Sequence, residues 1–220
     1  MNTVSIIITC FNYGRYLADA INSCLEQSYP PLEVIIVNDG STDNTAEVAD
    51  SFKNTKIPIF YIKQENKGLS SARNAGCRIA NGNYLLNLDA DDKINIDFIK
   101  KTIGVDDIVG TWLQEFGDSN VIWKSLKVYP QAEDFLKNNH LNCCSLFKKE
   151  VFDRTGGYDE NMKSGYEDWE FWMRATKAGY ECTVIQEVLF YYRKHGKSMI
   201  DIAKEKHNEI LNYILTKNAI

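Results

Sequence analysis

Leu86-Asn87-Leu88-Asp89-Ala90-Asp91-Asp92 is the stretch from which the rest of the chain is best read. The apolar run over residues 84–88 follows the turn residues Asn81-Gly82-Asn83, so it reads as a short buried strand. Asp89, Asp91 and Asp92 then arrive together at the carboxyl end of that strand. Carboxylates packed this closely repel one another unless a cation or protons compensate. Oxygen ligands at alternate positions suit a hard divalent ion, Mg²⁺ or Mn²⁺, shared with a substrate phosphate. The competing reading is a solvated acidic turn that caps a helix starting near Asn95. The rest of the chain weighs between the two.

Upstream, three further strands end in polar clusters. Residues 4–9 form a β-branched run that stops at Cys10-Phe11-Asn12-Tyr13-Gly14. Residues 16–27 carry Leu17, Ile21 and Leu25 at helical spacing, and Pro30-Pro31 ends that segment. A strand over residues 32–37 ends in Asn38-Asp39-Gly40-Ser41, before a helix capped by Thr42 or Asp43. A third strand, residues 57–62, contains Pro58 and so belongs towards a sheet edge. It ends in Gln64-Glu65-Asn66-Lys67-Gly68, and Ser70 or Ser71 can cap a helix through Ala80 that carries Arg73. This alternation predicts right-handed crossovers and a mostly parallel, Rossmann-like open sheet of the α/β class. Asn12, Asp39, Lys67 and the acidic run all follow their strands, where open α/β sheets bind ligands.

Downstream the pattern is less regular. It predicts a short helix over 95–103, strands over 108–112 and 121–123, and a helix from Pro130 to about 138. A strand over 142–147, a short helix to Arg154, a helix over 167–178 and strands over 183–185 and 188–192 follow. One amphipathic helix, 200–216, closes the chain. With no repeat or linker, residues 1–220 read as one domain. Within it, the polar clusters after strands fall in a first half, about 1–93, and about 94–220 is the less regular half.

With 220 residues, 44% of them hydrophobic, the chain can bury an ordinary core. A net charge of −5 argues against nucleic acid as a partner, so an anionic substrate would need local positive charge or a metal. No secretory segment precedes residue 4, and no apolar run reaches membrane-spanning length. The six cysteines show no C-x-x-C or zinc spacing and read as small, reduced, buried side chains. The expected location is therefore cytoplasmic, with peripheral association at the inner face of the membrane compatible.

Known phosphate loops fail. Gly196-Lys197-Ser198 resembles the end of a P-loop, but Tyr191 stands where its first glycine belongs. No G-x-G-x-x-G follows the first strand, which disfavours a dinucleotide enzyme and a sugar nucleotidyltransferase. Asp89-Ala90-Asp91 lies after the fourth strand and precedes Asp92-Lys93, unlike the aspartate pair of haloacid-dehalogenase phosphatases. Glu167-Asp168 begins a helix, where carboxylates favour the dipole whatever else they do. Tyr166, Trp169, Phe171 and Trp172 around them offer flat faces for a sugar ring or simply for the core. His195 ends the cationic segment Arg193-Lys194-His195, placed for metal ligation or diphosphate contact.

Taken together, these segments resemble glycosyltransferase family 2. The resemblance rests on Cys10-Phe11-Asn12-Tyr13, Val37-Asn38-Asp39-Gly40-Ser41, Asn66-Lys67-Gly68 through Arg73-Asn74, Asp89-Ala90-Asp91-Asp92, and Gly157-Tyr158-Asp159-Glu160 with Glu167-Asp168. It implies a GT-A fold, a Mn²⁺- or Mg²⁺-dependent nucleotide-sugar donor, UDP-linked by preference, and inversion at the anomeric carbon. By position, Asp39 would bind the nucleobase and Arg73 base or phosphate. Asp89 would hold the ribose or help bridge the metal, with Asp91 and His195 as metal ligands. Thr9, Phe11, Tyr13, Lys67 and Ala90 would complete the donor site. Asp168 would be the catalytic base, Glu167 its positioning partner, and Tyr166 and Trp169 acceptor contacts. The acceptor would be a saccharide or glycolipid, as in polysaccharide biosynthesis at the cell envelope. The alternative is a nucleotide-sugar-binding module without turnover.

Overall fold

The computed structural model describes residues 2–196 and 198–218. Its centre is β1 (Val4–Cys10), flanked by β2 (Glu33–Asn38) and β4 (Tyr84–Asp89), with β3 (Ile59–Lys63) at the edge beyond β2. These four strands pair in parallel. Alternate side chains enter opposite layers, as strand geometry requires. Ile7, Ile35 and Leu85 face one core, and Ile6, Ile8, Val34, Ile36, Leu86 and Leu88 face the other. With both faces covered, such strands are apolar throughout.

The second core layer is closed by α1 (Gly14–Leu25) and α2 (Thr45–Ser51), and the first by α3 (Leu69–Ile79) and α6 (Glu167–Lys177). Beyond β4 the sheet continues through β8 (Leu146–Lys148), β6 (Ile108–Gly117), β9 (Cys182–Lys194) and β5 (Lys93–Ile94), with β7 (Ile122–Trp123) on β6. Only β6 and β9 pair in parallel there; the other pairings are antiparallel. The sheet is thus parallel where the donor half was expected and mixed elsewhere. Three more helices, α4 (Phe98–Thr102), α5 (Lys149–Thr155) and α7 (Met199–Glu205), are short, and α8 (His207–Lys217) ends the described chain. Among the described residues no helix is long and apolar enough to cross a membrane.

Several local expectations are corrected. Neither Ser70 nor Ser71 caps α3; Gly68, at φ 94°, stands at the N-cap, because Asp39 fixes the preceding turn by accepting from the Lys67 and Gly68 amides. The helix expected from Pro130 is only a 3-10 turn, Asp134–Leu136. Its approach is tied to β9, with the Val184 amide donating to the Val128 carbonyl and the Cys182 thiol to the Pro130 carbonyl. The two strands expected over 183–192 are one, because the register against β6 shifts between Thr111 and Leu113 and absorbs the extra residues. The single final helix is two, broken at Lys206 beside His207.

Candidate active site

A cavity of about 480 Å³ opens at the carboxyl ends of β1, β2 and β4. Thr9, Phe11, Tyr13, Asp39, Asp89, Ala90, Asp91 and His195 line it from the sheet side. Lys163 and Ser164, with Met199 and Ile202 of α7, form the opposite wall, which nothing in the sequence pattern had singled out. The first loop is shaped by Asn12, a non-glycine residue at φ 57°. Its Oδ1 accepts from the Thr42 amide at 2.9 Å, and its own amide donates to Ser41 Oγ at 2.9 Å, which ties the loops after β1 and β2 together.

Asp39 organises a second junction. Its Oδ1 accepts from Gln64 Nε2 and from the Lys67 amide, and its Oδ2 accepts from the Gly68 amide. The carboxylate therefore holds the loop after β3 while still lining the cavity. Lys67 contributes only its backbone there, and its side chain is exposed.

The buried hub is Arg73, on α3 and 1% exposed. Its Nη2 donates to both oxygens of Asp89, at 3.0 and 3.1 Å, and its Nη1 donates to Glu167 Oε1 at 2.6 Å. Thr9 Oγ1 adds a 2.9 Å bond to Asp89 Oδ1. The end of β4 is thereby bolted to the start of α6 through one guanidinium. Both Asp89 oxygens accept from Arg73, and the carboxylate still lines the cavity.

Asp91 and His195 do meet. Nε2 of His195 lies 2.9 Å from Asp91 Oδ2, and the rings of Tyr13 and Tyr16 lie 5.2 and 5.0 Å from the imidazole. Burial, and then the charge of Asp89, raise the Asp91 carboxyl above its ordinary range. Asp92 is fully buried, and burial followed by Asp91 and Asp89 holds it well above the usual carboxylate range. Its Oδ1 accepts from the Arg193 amide at 2.7 Å, whereas its Oδ2 has no partner among the described residues. Arg193 also donates from Nε to the Asp91 carbonyl, so the end of β9 clamps the acidic loop. Among the described residues no three His, Cys, Asp or Glu side chains gather as a ready cage for an ion.

The α6 start presents Asp168 half-buried. Its Oδ2 accepts from Asn139 Nδ2 at 3.1 Å and its Oδ1 from the Trp169 amide at 2.8 Å. Burial and the neighbouring Glu167 push its carboxyl up to about 7. Asn139 was not foreseen, because it comes from the irregular segment before β8. Trp169 corrects an expectation: it is 4% exposed, and its indole donates to the Phe135 carbonyl at 2.7 Å, so it belongs to the core and offers no face to an acceptor. Tyr166, half-buried at φ 61°, remains at the surface of this turn. All six cysteines are free, five of them buried and Cys143 half-buried.

The family pattern described as Glycosyl transferase family 2 matches residues 5–156, and one described as Glycosyltransferase like family 2 matches residues 113–213. The "Uncharacterized glycosyltransferase EpsJ" of Bacillus subtilis is 28% identical over 218 residues, covering 90% of this chain and 63% of that protein. The chain spans 14 to 63% of the length of several curated relatives that it matches. Among solved structures, S. aureus TarS 1-349 in complex with UDP-GlcNAc superposes with a TM-score of 0.76 at 21% identity, over 96% of this chain and 67% of that one. The mannosyltransferase PcManGT of Pyrobaculum calidifontis, in complex with GDP-Man and Mn²⁺, gives 0.69 at 18% identity, over 90% of this chain and 59% of that one. At such identities the likeness speaks for the fold, which these structures share.

Proposed function

Because this chain belongs to glycosyltransferase family 2 and is a transferase of GT-A fold, we propose that it is metal-dependent and inverting, moving a sugar from a UDP-sugar to a saccharide hydroxyl. The observation that carries this reading is the contact of Asp91 with His195 in the same cavity that Asp39 lines. The pair fits a divalent ion: a carboxylate oxygen and an imidazole nitrogen stand side by side at the cavity wall, which leaves the rest of the shell to the donor. Asp91 and His195 would hold the ion, and the donor diphosphate would complete its shell, as is usual for Mg²⁺. When bound, a divalent ion stabilises the charge that develops on the departing diphosphate.

The chain's own groups do the rest. Asp39 Oδ2 accepts only one hydrogen bond from the loop, which leaves room for a uracil imide. Phe11, 45% exposed at the cavity wall, offers a face for the base. Arg73 holds Asp89 rigid for the ribose and fixes Glu167 with the same guanidinium. Asp168, poised near neutral pH, takes the proton of the acceptor hydroxyl as it attacks the face opposite the diphosphate. The UDP-GlcNAc bound to TarS and the Mn²⁺ in PcManGT support the choice of donor class and ion. Peripheral membrane placement and a glycolipid acceptor draw support from the exposed Val121, Ile122, Trp123 and Leu126 beside Lys124.

The test is donor turnover across UDP-, GDP- and TDP-sugars with Mg²⁺, Mn²⁺ or chelator. Turnover highest with a UDP-sugar and abolished by chelator is the expected result. Undiminished turnover in chelator would overturn the metal assignment, and a preference for GDP-sugars would overturn the uracil assignment at Asp39.

A further inference from the structure

The turn that delivers Asp168 is held in an uncommon backbone conformation. Tyr166 stands in the left-handed region at φ 61°, directly after Gly165 at φ 104°. A bulky residue stays there only when its surroundings over-determine it. The C-terminal helices supply that constraint at both positions. A Cβ on Gly165 would lie 2.9 Å from the Ala203 Cβ of α7, so α7 seats against the backbone where only glycine fits. The Tyr166 hydroxyl shares a hydrogen bond of 3.2 Å with Nδ1 of His207, the first residue of α8. The Tyr166 ring meets the edges of His207 at 5.8 Å and Trp169 at 5.2 Å. Trp169 is in turn fixed by its indole bond to the Phe135 carbonyl.

We propose that His207, acting through the Tyr166 hydroxyl, is a positioning residue for Asp168. It rests on the reading of Asp168 as the base. Glu167 is anchored independently, on Arg73, so the first residue of α6 has a support on the donor side. Asp168 is one residue further on and takes its direction from how the turn at 165 and 166 is set. The bond from His207 to the Tyr166 hydroxyl ties this turn to α8, and through it the backbone geometry that aims Asp168. Displacement of a reacting group by about 1 Å can cost on the order of a hundredfold in rate.

His207→Phe and Tyr166→Phe each remove the hydrogen bond and keep a ring. Each is expected to lower kcat about ten- to a hundredfold, with donor affinity and acceptor KM little changed. The double variant is expected to lose no more than either single one. His207→Asn, whose amide can stand where Nδ1 stood, is expected to recover much of the rate. Asp168→Asn is measured beside them. If Asp168→Asn loses transfer while both phenylalanine variants, folded by their melting curves, keep full kcat, the positioning role is refuted alone. If Asp168→Asn keeps full turnover, the base reading fails and this inference falls with it. Losses that multiply in the double variant would likewise overturn a shared Tyr166–His207 action, even in correctly folded protein.

Discussion

At the scale of single residues, Asp168 and Asp91 separate two kinds of carboxylate work. Asp168→Asn should keep nucleotide and metal affinity and lose transfer by about 10²–10⁴-fold, the range usual for base catalysis. Titration of UDP and product assay on one preparation check it, and loss of nucleotide binding would move Asp168 into the donor site instead. The same substitution has a pH signature. The Asp168 carboxyl lies near 7 when folded against 3.8 ordinarily, because burial and Glu167 disfavour its charge. The folded chain therefore keeps a proton here that the unfolded chain releases, and this group's contribution to stability is lost as pH rises from about 4 to 7. Asparagine cannot ionise, so the variant's melting temperature relative to wild type should rise between about pH 4 and pH 7 and level off above that. A difference that is flat with pH would contradict the raised carboxyl. Asp91→Asn should remove Mn²⁺-dependent donor binding while Asp39-dependent binding of free nucleotide persists; full Mn²⁺ dependence in that variant would exclude Asp91 as a ligand. Asp91 was visible in the sequence because it crowds with Asp89 and Asp92 after a strand, and Asp168 because it stands beside Glu167 at a helix start among aromatics. Their partners were not visible: that Arg73 takes both oxygens of Asp89, or that Asn139 reaches Asp168, depends on contacts between segments far apart in sequence.

At the scale of elements, the parallel half was legible and the rest much less so. Residues in β1, β2 and β4 are buried on both faces, so their apolar runs announce themselves. By contrast the two-residue β5 was not expected, and the three-residue β8 begins four residues later than the strand expected from 142, although the two-residue β7 fell where a strand was expected. Such strands form because a neighbour supplies the ladder. The same holds for the stretch around Pro130, where proline suggested a helix start but bonds from β9 to the Val128 and Pro130 carbonyls tie the chain to the sheet. Helix α3 shows how closely an element must sit to place its side chains. A Cβ on Gly76 would come within 2.4 Å of Ile7 Cγ2 and 3.0 Å of Val37 Cγ2. Gly76→Ala should therefore lift α3 from the sheet and cost about 1–3 kcal/mol, as overpacking usually does. Because Arg73 is on that helix one turn earlier, donor affinity should fall as well. Urea unfolding and nucleotide titration check the pair of effects, and wild-type values for both would mean that the helix yields without consequence.

Across the whole molecule, the cavity draws on β1, β2, α3, the loop after β4, the end of β9 and α7, so its assembly is a property of the fold rather than of any segment. The order of motifs along the chain nevertheless betrayed the family, since four of the five follow strands that the sheet brings to one rim, and the fifth lies between α5 and the start of α6. What the sequence could not announce is how incomplete the ion's protein shell would be. Only Asp91 and His195 come together, and among the described residues no third acidic, cysteine or histidine side chain completes a cage. Two protein ligands hold a hard ion weakly until diphosphate oxygens join them. Metal and nucleotide should therefore stabilise the fold together far more than their separate effects suggest, each raising the other's affinity by the same factor. A ligand present at about a hundred times its dissociation constant adds about 2.7 kcal/mol of stability. For a chain of this size that corresponds to about 5–10 °C in Tm. The expected pattern is a small rise with Mn²⁺ alone, a small rise with UDP alone, and a rise of that order with both. Asp91→Asn should reduce the combined rise to that of UDP by itself, and His195→Ala should do the same. Additive shifts in wild type, or a large rise with Mn²⁺ alone, would mean that the ion has a complete protein site elsewhere and that the pair at the end of β9 is not its seat.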